Sequence, residues 1–460
     1  MSSILCQIHP VSVSNPSQTI VVSRSLFREW NCRTRQTIQI SVGNKSMNVR
    51  VIEGKSEDAT ILLPRPISRQ LCIPHFGEVR ATYNNRELRI GPVLAILTTG
   101  ASNSPASPFG DRSNLFRHFL TAGQDNKPFF YVFTPNMVNW RQRTVQGWFI
   151  RKDESGQNRW FRHIAPLPDV IYERVPNRRA EALPHVEECR LRLQTLGNCK
   201  MFNQGFFNKW SVHEKLFTHE LVSENIPETV HDLDEHSIRD LIERHKMVYL
   251  KPTGGSLGLG ILRITRDPKN GYYCRFRNNE KNILRHYNSL EALLVNHFGP
   301  ELAPLRRYLV QQGIRLVKYK DRPVDFRVHL HKDKTGQWKV IGIGAKVAGA
   351  GCVTTHGRTG GSIIAVSELL SLAFPGQETE IEEKIAETSI RIALAMESTM
   401  PGPLGELGLD IGVDHHHKVW LFEVNSKPGR HIFHHPTLHQ AGQKSARCIT
   451  EYGLKLAQFI

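Results

Sequence analysis

No two of the eight cysteines (Cys6, Cys32, Cys72, Cys189, Cys199, Cys274, Cys352, Cys448) form a Cys-x-x-Cys pair. Neither the usual zinc-ligand spacing nor a disulfide framework is indicated. No stretch reaches the run of roughly 20 apolar residues that a membrane-crossing helix needs. The opening "MSSILCQIHP" has no basic segment followed by a sustained apolar core. The expectation is a reduced, intracellular (cytoplasmic) protein with no membrane partner. Internal repeats and low-complexity tracts are also lacking, which excludes solenoids and long disordered tails. Acidic residues are in deficit: 43 Asp and Glu stand against 60 Lys and Arg, a formal net charge of +17. That balance suits nucleotide phosphates, nucleic acid or acidic protein surfaces, and an excess of solvated basic side chains would give the same total. Charge is all that speaks for nucleic acid, so that partner is not adopted.

What is there is the composition of a folded chain, 40% hydrophobic and 22% charged. At roughly 150 residues per domain, 460 residues suggest about three units. From about Gln36 to Leu88 the runs are short and β-like: "QTIQISVGNKSMNVRVI" alternates, and "GEVRATYNNRELRI" carries an Asn-Asn turn. This predicts an N-terminal β-rich domain over 1–89. "IGPVLAILTTG" then reads as a buried strand, "NLFRHFLTAGQ" as a helix, and "FFYVFTP" and "PLPDVIYERVPNR" as further strands, a compact α/β unit over 90–198. The remainder, 199–460, opens on "NKWSVHEKLFTHELVSENIPET", an expected amphipathic helix with Val212, Leu216, Phe217 and Leu221 on one side and Asn225 near its stop.

The chemistry-bearing residues lie in that last region. In "YLKPTGGSLGLGI", Gly254, Gly255, Gly258 and Gly260, with Ser256 among them, leave the backbone free to approach phosphates. No Gly-Lys-Ser/Thr follows and both flanks read as strands, so the expected form is a hairpin tip rather than a Walker loop. Lys251 precedes the tip, and Lys215 lies on the helix before it, where a solvated lysine is the commoner outcome.

"GELGLDIGVDHHHKVWLFEVN" reads as a hairpin. Glu423 and Asn425 share a face of its second strand, since side chains alternate, and Asp410 lies on the first. Two carboxylates and an amide make a hard-oxygen set suited to magnesium. A helix N-cap at Asn425 and Ser426 is the plainer alternative, which leaves the carboxylate in an apolar strand unexplained. "DFRVHL" puts Asp325 and Arg327 on one face, and Lys346 follows on the next strand. They suit charge stabilisation at a transferred phosphoryl group, or else a surface ion pair. The loop "TTHGRTGGS" adds His356, Arg358, Gly360 and Gly361 as residues that could approach an acceptor. The histidines at 415–417, 434, 435 and 439 are explained by turn polarity and are left out of the site.

The ordered set resembles the ATP-grasp superfamily of carboxylate–amine ligases. "GPVLAILTTG", "YVFTP", "PLPDVIYERVPNR" and "EVNSKPG" are similar to the YheC/YheD-type endospore coat-associated proteins of spore-forming bacteria, from about Ile90 to the C-terminus. The resemblance implies an α/β (α+β) chain: an ATP-grasp fold of two α+β subdomains, preceded by a small α/β pre-ATP-grasp domain and an N-terminal β-rich domain. It implies ATP and Mg²⁺ as cofactors and carboxylate–amine ligation through an acyl phosphate with release of ADP, or else a silent structural or adaptor protein of the coat. Unknown carboxylate and amine substrates, and spore-coat proteins, would then be partners, with the coat as a second location.

Carried over, Lys215 and Lys251 become phosphate lysines, Gly254 to Gly260 the closing loop, and Gln311, Gln312 and Gly313 the adenine-side hinge. Asp325 falls near the ribose-side acid, Arg327 and Lys346 become the catalytic cations, and Asp410, Glu423 and Asn425 the magnesium ligands. Two places depart from the family pattern. The hinge has Gln311-Gln312 where a glutamate is usual, and Thr355 or His356 stands where related ligases carry an asparagine.

Overall fold

A computed structural model describes residues 3–12, 18–196, 199–253, 260–279, 281–352, 355 and 360–460. The alternating N-terminal runs close on themselves. Seven strands form a barrel in the order Ile4–Val11, Thr60–Pro64, Thr19–Val22, Lys45–Glu53, Thr37–Val42, Glu87–Gly91 and Gly77–Asn84, the last pairing with the first. Closure leaves no free sheet edge. Ile8, Ile20, Ile40, Val51, Ile61, Leu63 and Val79 fill the interior. The hairpin in "YNNRE" turns on Asn85 and Arg86, both with positive φ, one residue later than the Asn-Asn expectation.

The next sheet is mixed. Val93–Leu97, Phe129–Phe133, Val170–Glu173 and Lys200–Phe202 run parallel. The first three of these strands are buried throughout, as parallel strands covered on both faces should be. A long hairpin, Thr144–Lys152 with Asn158–Pro166, extends the sheet through pairing with Phe129–Phe133; the sequence reading did not foresee it. The helix Ser113–Gly123 packs beside the C-terminal helix His439–Ala457. That approach is close enough that a Cβ on Gly123 would lie 2.3 Å from Thr450 Oγ1.

Two antiparallel sheets make up the rest. One runs Thr229–Val230, Tyr308–Gln312, Met247–Pro252, Leu262–Arg266, Tyr272–Asn278, Lys281–Tyr287. It is backed by the helices Glu235–His245 and Leu290–Phe298. The other runs Ser362–Ile364, Trp338–Val347, Arg322–Lys332, Glu406–Val413, Val419–Asn425. Its strand Arg322–Lys332 shows the two-residue period directly. Val324, Phe326, Val328 and Leu330 join a core with the helices Val366–Ala373 and Glu378–Thr399, while Asp325, Arg327, His329 and His331 line the opposite face.

The expected helix from Asn208 toward Asn225 is shorter than the pattern implied. It spans Lys209–Phe217. Val212 and Leu216 are buried, but Phe217 and Leu221 are exposed, so the apolar stripe does not continue. After Thr218 the chain turns, and buried Asn225 donates from Nδ2 to Val419 O at 2.9 Å, which ties the segment to the last sheet instead.

Candidate functional site

The "DHHHK" turn brings the final hairpin together as its alternation suggests. Asp410 stands opposite Glu423 and Gly408 opposite Asn425, with a bulge between Asp410 and Ile411. On the neighbouring strand Arg327 is opposite Asp410, and Asp325 is opposite Lys346 one strand further. Three adjacent strands therefore deliver four ionisable side chains to one spot.

Arg327 clamps Asp410 with two donors, Nε to Oδ1 at 3.0 Å and Nη2 to Oδ2 at 2.9 Å, and Lys346 Nζ lies 2.8 Å from both Asp410 Oδ1 and Asp325 Oδ1. Thr355 Oγ1 donates to Asp325 Oδ2. The ion pair left open for Asp325 and Arg327 is thus not between those two and not on the surface: each pairs across strands, at 10–15% side-chain exposure. Gly408 makes room for the clamp, since a Cβ there would stand 3.0 Å from Arg327 Nη1 and 2.4 Å from Pro428 Cβ.

Charge in this cluster is settled by near neighbours working against burial. Burial alone would raise the Asp410 carboxyl, but Arg327 and Lys346 outweigh it and hold Asp410 well below the ordinary carboxylate range. Burial likewise opposes the Lys346 ammonium, and the Asp325 and Asp410 carboxylates raise its pKa nonetheless. Asp325 moves the other way: burial pushes its carboxyl up, and the nearby Asp410 charge adds to that despite Lys346.

Lys251 faces this cluster from the other antiparallel sheet. It sits on Met247–Pro252, donates to Gln311 Oε1, and its Nζ lies 5.8 Å from the centre of the Phe422 ring, next to Glu423. Burial and the nearby Lys209 lower its pKa to about 8, against the pull of Glu423, Asp325 and Asp410. Lys209 Nζ is 3.7 Å from Glu423 Oε1. Two lysines and an arginine thus converge with Asp410 and Glu423 where the two sheets meet, a charge pattern that fits a polyphosphate held with a divalent cation. The donors of Asp410, Glu423 and Asn425 are hard oxygens on one hairpin face, so they fit magnesium rather than a soft metal.

Several expected residues are placed elsewhere. Lys215 is not brought to the cluster: its Nζ donates to Thr399 O at 2.8 Å, closing the end of the helix Glu378–Thr399. Lys209, six residues earlier on the same helix, reaches Glu423 instead. Gln311 and Gln312 point to opposite sides as neighbours in a strand must. Gln311 touches Lys251 and Thr229, whereas Gln312 Oε1 accepts from Glu228 N at 3.2 Å. Gly313 donates its N–H to Met247 O, and a Cβ there would clash with Met247 at 2.7 Å, which makes its need for glycine one of packing. Gly260 has φ +73° at the base of the hairpin between Met247–Pro252 and Leu262–Arg266. Gly254, Gly255, Ser256 and Gly258, with His356 and Arg358, lie outside the described residues. Gly360 and Gly361 are described, Gly360 with φ +83° and Gly361 on the wall of a cavity beside Lys346.

Two features were missed by sequence reasoning. The first is a buried charged knot. Glu406, with no exposed surface, meets Arg430 at 3.0 Å, His329 at 2.8 Å, His331 at 3.3 Å, Arg174 at 3.7 Å and the Tyr172 hydroxyl. It joins the mixed sheet to the last antiparallel one. His329, His331 and Glu406 are close enough for a metal, but all three are buried and Glu406 is already satisfied by two guanidinium groups, both histidines and Tyr172, so the set is a closed network, unlike the partly open Asp410 and Glu423. The alternation "DFRVHLHKD" carried half of this signal. The second is that His431, His434 and His435 border the cavity beside Lys346; nothing in the sequence pointed there.

Comparison with known proteins identifies the family of the chain. Residues 198–456 fit the family model described as YheC/D like ATP-grasp. Over 434 residues the chain is 31% identical to the endospore coat-associated protein YheD of Bacillus subtilis, covering 94% of each. It is 25% identical to YheC of the same organism over 296 residues, 60% of this chain and 75% of that one. Among solved structures, the ATP-grasp ligase PsnB complexed with a minimal precursor aligns over 78% of this chain and 99% of its own, at 14% identity and a TM-score of 0.43. The chain belongs to the YheC/D-like family of ATP-grasp proteins.

Proposed function

We propose that this protein binds Mg-ATP between its two antiparallel sheets and ligates a carboxylate to an amine through an acyl phosphate. The observation that carries the reading is the convergence of Lys251, Lys209 and Arg327 on Asp410 and Glu423 across the sheets. Lys251 and Lys209 would hold phosphate oxygens, with Gln311 fixing Lys251. A substrate carboxylate oxygen attacks the γ-phosphorus, the bond to the β-phosphate oxygen breaks, and ADP leaves. The amine then attacks the acyl carbon, phosphate departs with the acyl C–O bond, and the amine loses a proton. Arg327 and Lys346 would stabilise the charge that builds at the transferred group. Magnesium, held by Asp410, Glu423 and Asn425, would neutralise phosphate charge. Hydroxylamine trapping tests the reading. With ATP and a panel of carboxylic acids, the wild type should form a hydroxamate with stoichiometric ADP, and Glu423→Gln should form none; ADP release without hydroxamate would reject the acyl phosphate.

Lys251 gives the site a pH signature. Its depressed pKa means that it loses its charge as pH rises through about 8. An arriving polyphosphate favours the charged form, so ATP binding at pH 8.5 should take up a fraction of a proton and weaken as pH rises further. Calorimetry in buffers of different ionisation enthalpy reads the uptake, and Lys251→Arg should abolish it.

A second reading, a silent coat component on the same fold, is favoured by the names of both curated relatives, which are called endospore coat-associated. It shares the ATP site but predicts no hydroxamate. Association with the spore coat is proposed under either reading.

A further inference from the structure

A cavity of about 320 Å³ opens beside the ion cluster. One wall is Lys346, Thr355 and the edge strand, with Ser362 and Ile363; the facing wall carries His434 and His435 from the short turns before the C-terminal helix. The volume is at the lower end of small-molecule sites, roughly 300–1,000 Å³, and well beyond what a bare carboxylate fills.

Its polarity is one-sided. Every ionisable or hydrogen-bonding side chain among the described lining residues is a lysine, a histidine or a hydroxyl, and no carboxylate is among them. His435 Nδ1 is engaged by Thr437 Oγ1 at 2.8 Å, which leaves Nε2 as its other polar atom. Lys346 belongs to both places, since it lines the cavity and ion-pairs with Asp325 and Asp410. A group entering the cavity therefore reaches the reaction centre at its Lys346 end and the imidazoles at its other wall. The lining itself holds no carboxylate to pair with an ammonium, whereas Lys346, the Ser362 hydroxyl and the imidazole N–H groups can all donate to an acid.

Resting on the ligase reading, we infer that this cavity receives the carboxylate substrate, not the amine, and that the substrate carries a second acidic group bound by His434 and His435. The reacting carboxylate would lie by Lys346. A short acidic peptide or another polycarboxylate has the required chemistry.

The test is calorimetric titration of the full chain, with and without magnesium and a non-hydrolysable ATP analogue, using triglutamate, trialanine and trilysine as probes. Triglutamate should bind, and trialanine and trilysine should not. The double variant His434→Ala/His435→Ala should bind triglutamate at least tenfold more weakly with nucleotide affinity unchanged, while His185→Ala, exposed and outside the cavity lining, should match the wild type. Absence of triglutamate binding, equal binding by the double variant, or preference for trilysine would overturn the assignment. Failure of the nucleotide analogue to bind while triglutamate still depends on the two histidines would reject the ATP reading and leave the acidic-ligand site standing.

Discussion

Glu406→Ala should destabilise the fold by about 3–5 kcal/mol, the usual cost of breaking a buried ion pair by removing one partner. Its carboxylate is fully buried and accepts from or pairs with Arg430, His329, His331, Arg174 and Tyr172. Removing it strands two guanidinium groups at the junction between the mixed sheet and the last antiparallel one. Urea unfolding monitored by tryptophan fluorescence should show the midpoint falling sharply. A shift within that of an exposed control such as Glu382→Ala would show that the knot is not structurally coupled.

The same knot sets the response to acid. Burial drives the His329 pKa down to about 3, although Glu406 pulls it upward, and its Nδ1 has no hydrogen-bond partner among the described residues, as suits a neutral ring bonded through Nε2. Below its ordinary value of 6.5 the unfolded chain therefore takes a proton that the folded chain refuses, and stability falls with pH. At pH 4.5 that term amounts to about 2–3 kcal/mol. Glu406, held well below its ordinary range despite burial, acts in the same direction as pH falls further. Unfolding midpoints from pH 7.5 to 4.5 should decline, and His329→Gln should flatten the decline.

The second large effect concerns chemistry. Arg327→Lys keeps the charge but loses the two-point grip on Asp410. Turnover, read as hydroxamate or ADP formation, should fall about 100- to 1000-fold, the scale for removing one donor from a transition-state charge site. ATP affinity should change far less, because the proposed phosphate contacts fall to Lys251 and Lys209. A variant retaining more than a tenth of wild-type turnover would remove Arg327 from the catalytic role.

Strand periodicity made much of this legible before any coordinates. Glu423 and Asn425 share a face because they are two residues apart, and the same rule puts Asp325 and Arg327 together; continued along the strand it reaches His329 and His331, which the sequence reading left unused. That rule also separates Gln311 from Gln312, which family resemblance had grouped together. What alternation cannot supply is the partner on a distant segment: Glu406 completes the histidine row from 75 or more residues away, and barrel closure depends on the pairing of Ile4–Val11 with Gly77–Asn84. Helical spacing is weaker still, since Lys209 and Lys215 lie on one short helix and only tertiary packing decides which reaches Glu423. The cavity histidines gave no signal because turns between elements have no period to read.

The proposed function requires Lys251 and Glu423 to belong to one nucleotide site formed by two sheets. Titration of ATP into the wild type, Lys251→Ala and Glu423→Gln, with and without magnesium, tests it most directly. The wild type should bind ATP in a magnesium-dependent way, and both variants should lose that binding. No binding by the wild type, or binding that both variants retain, would contradict it.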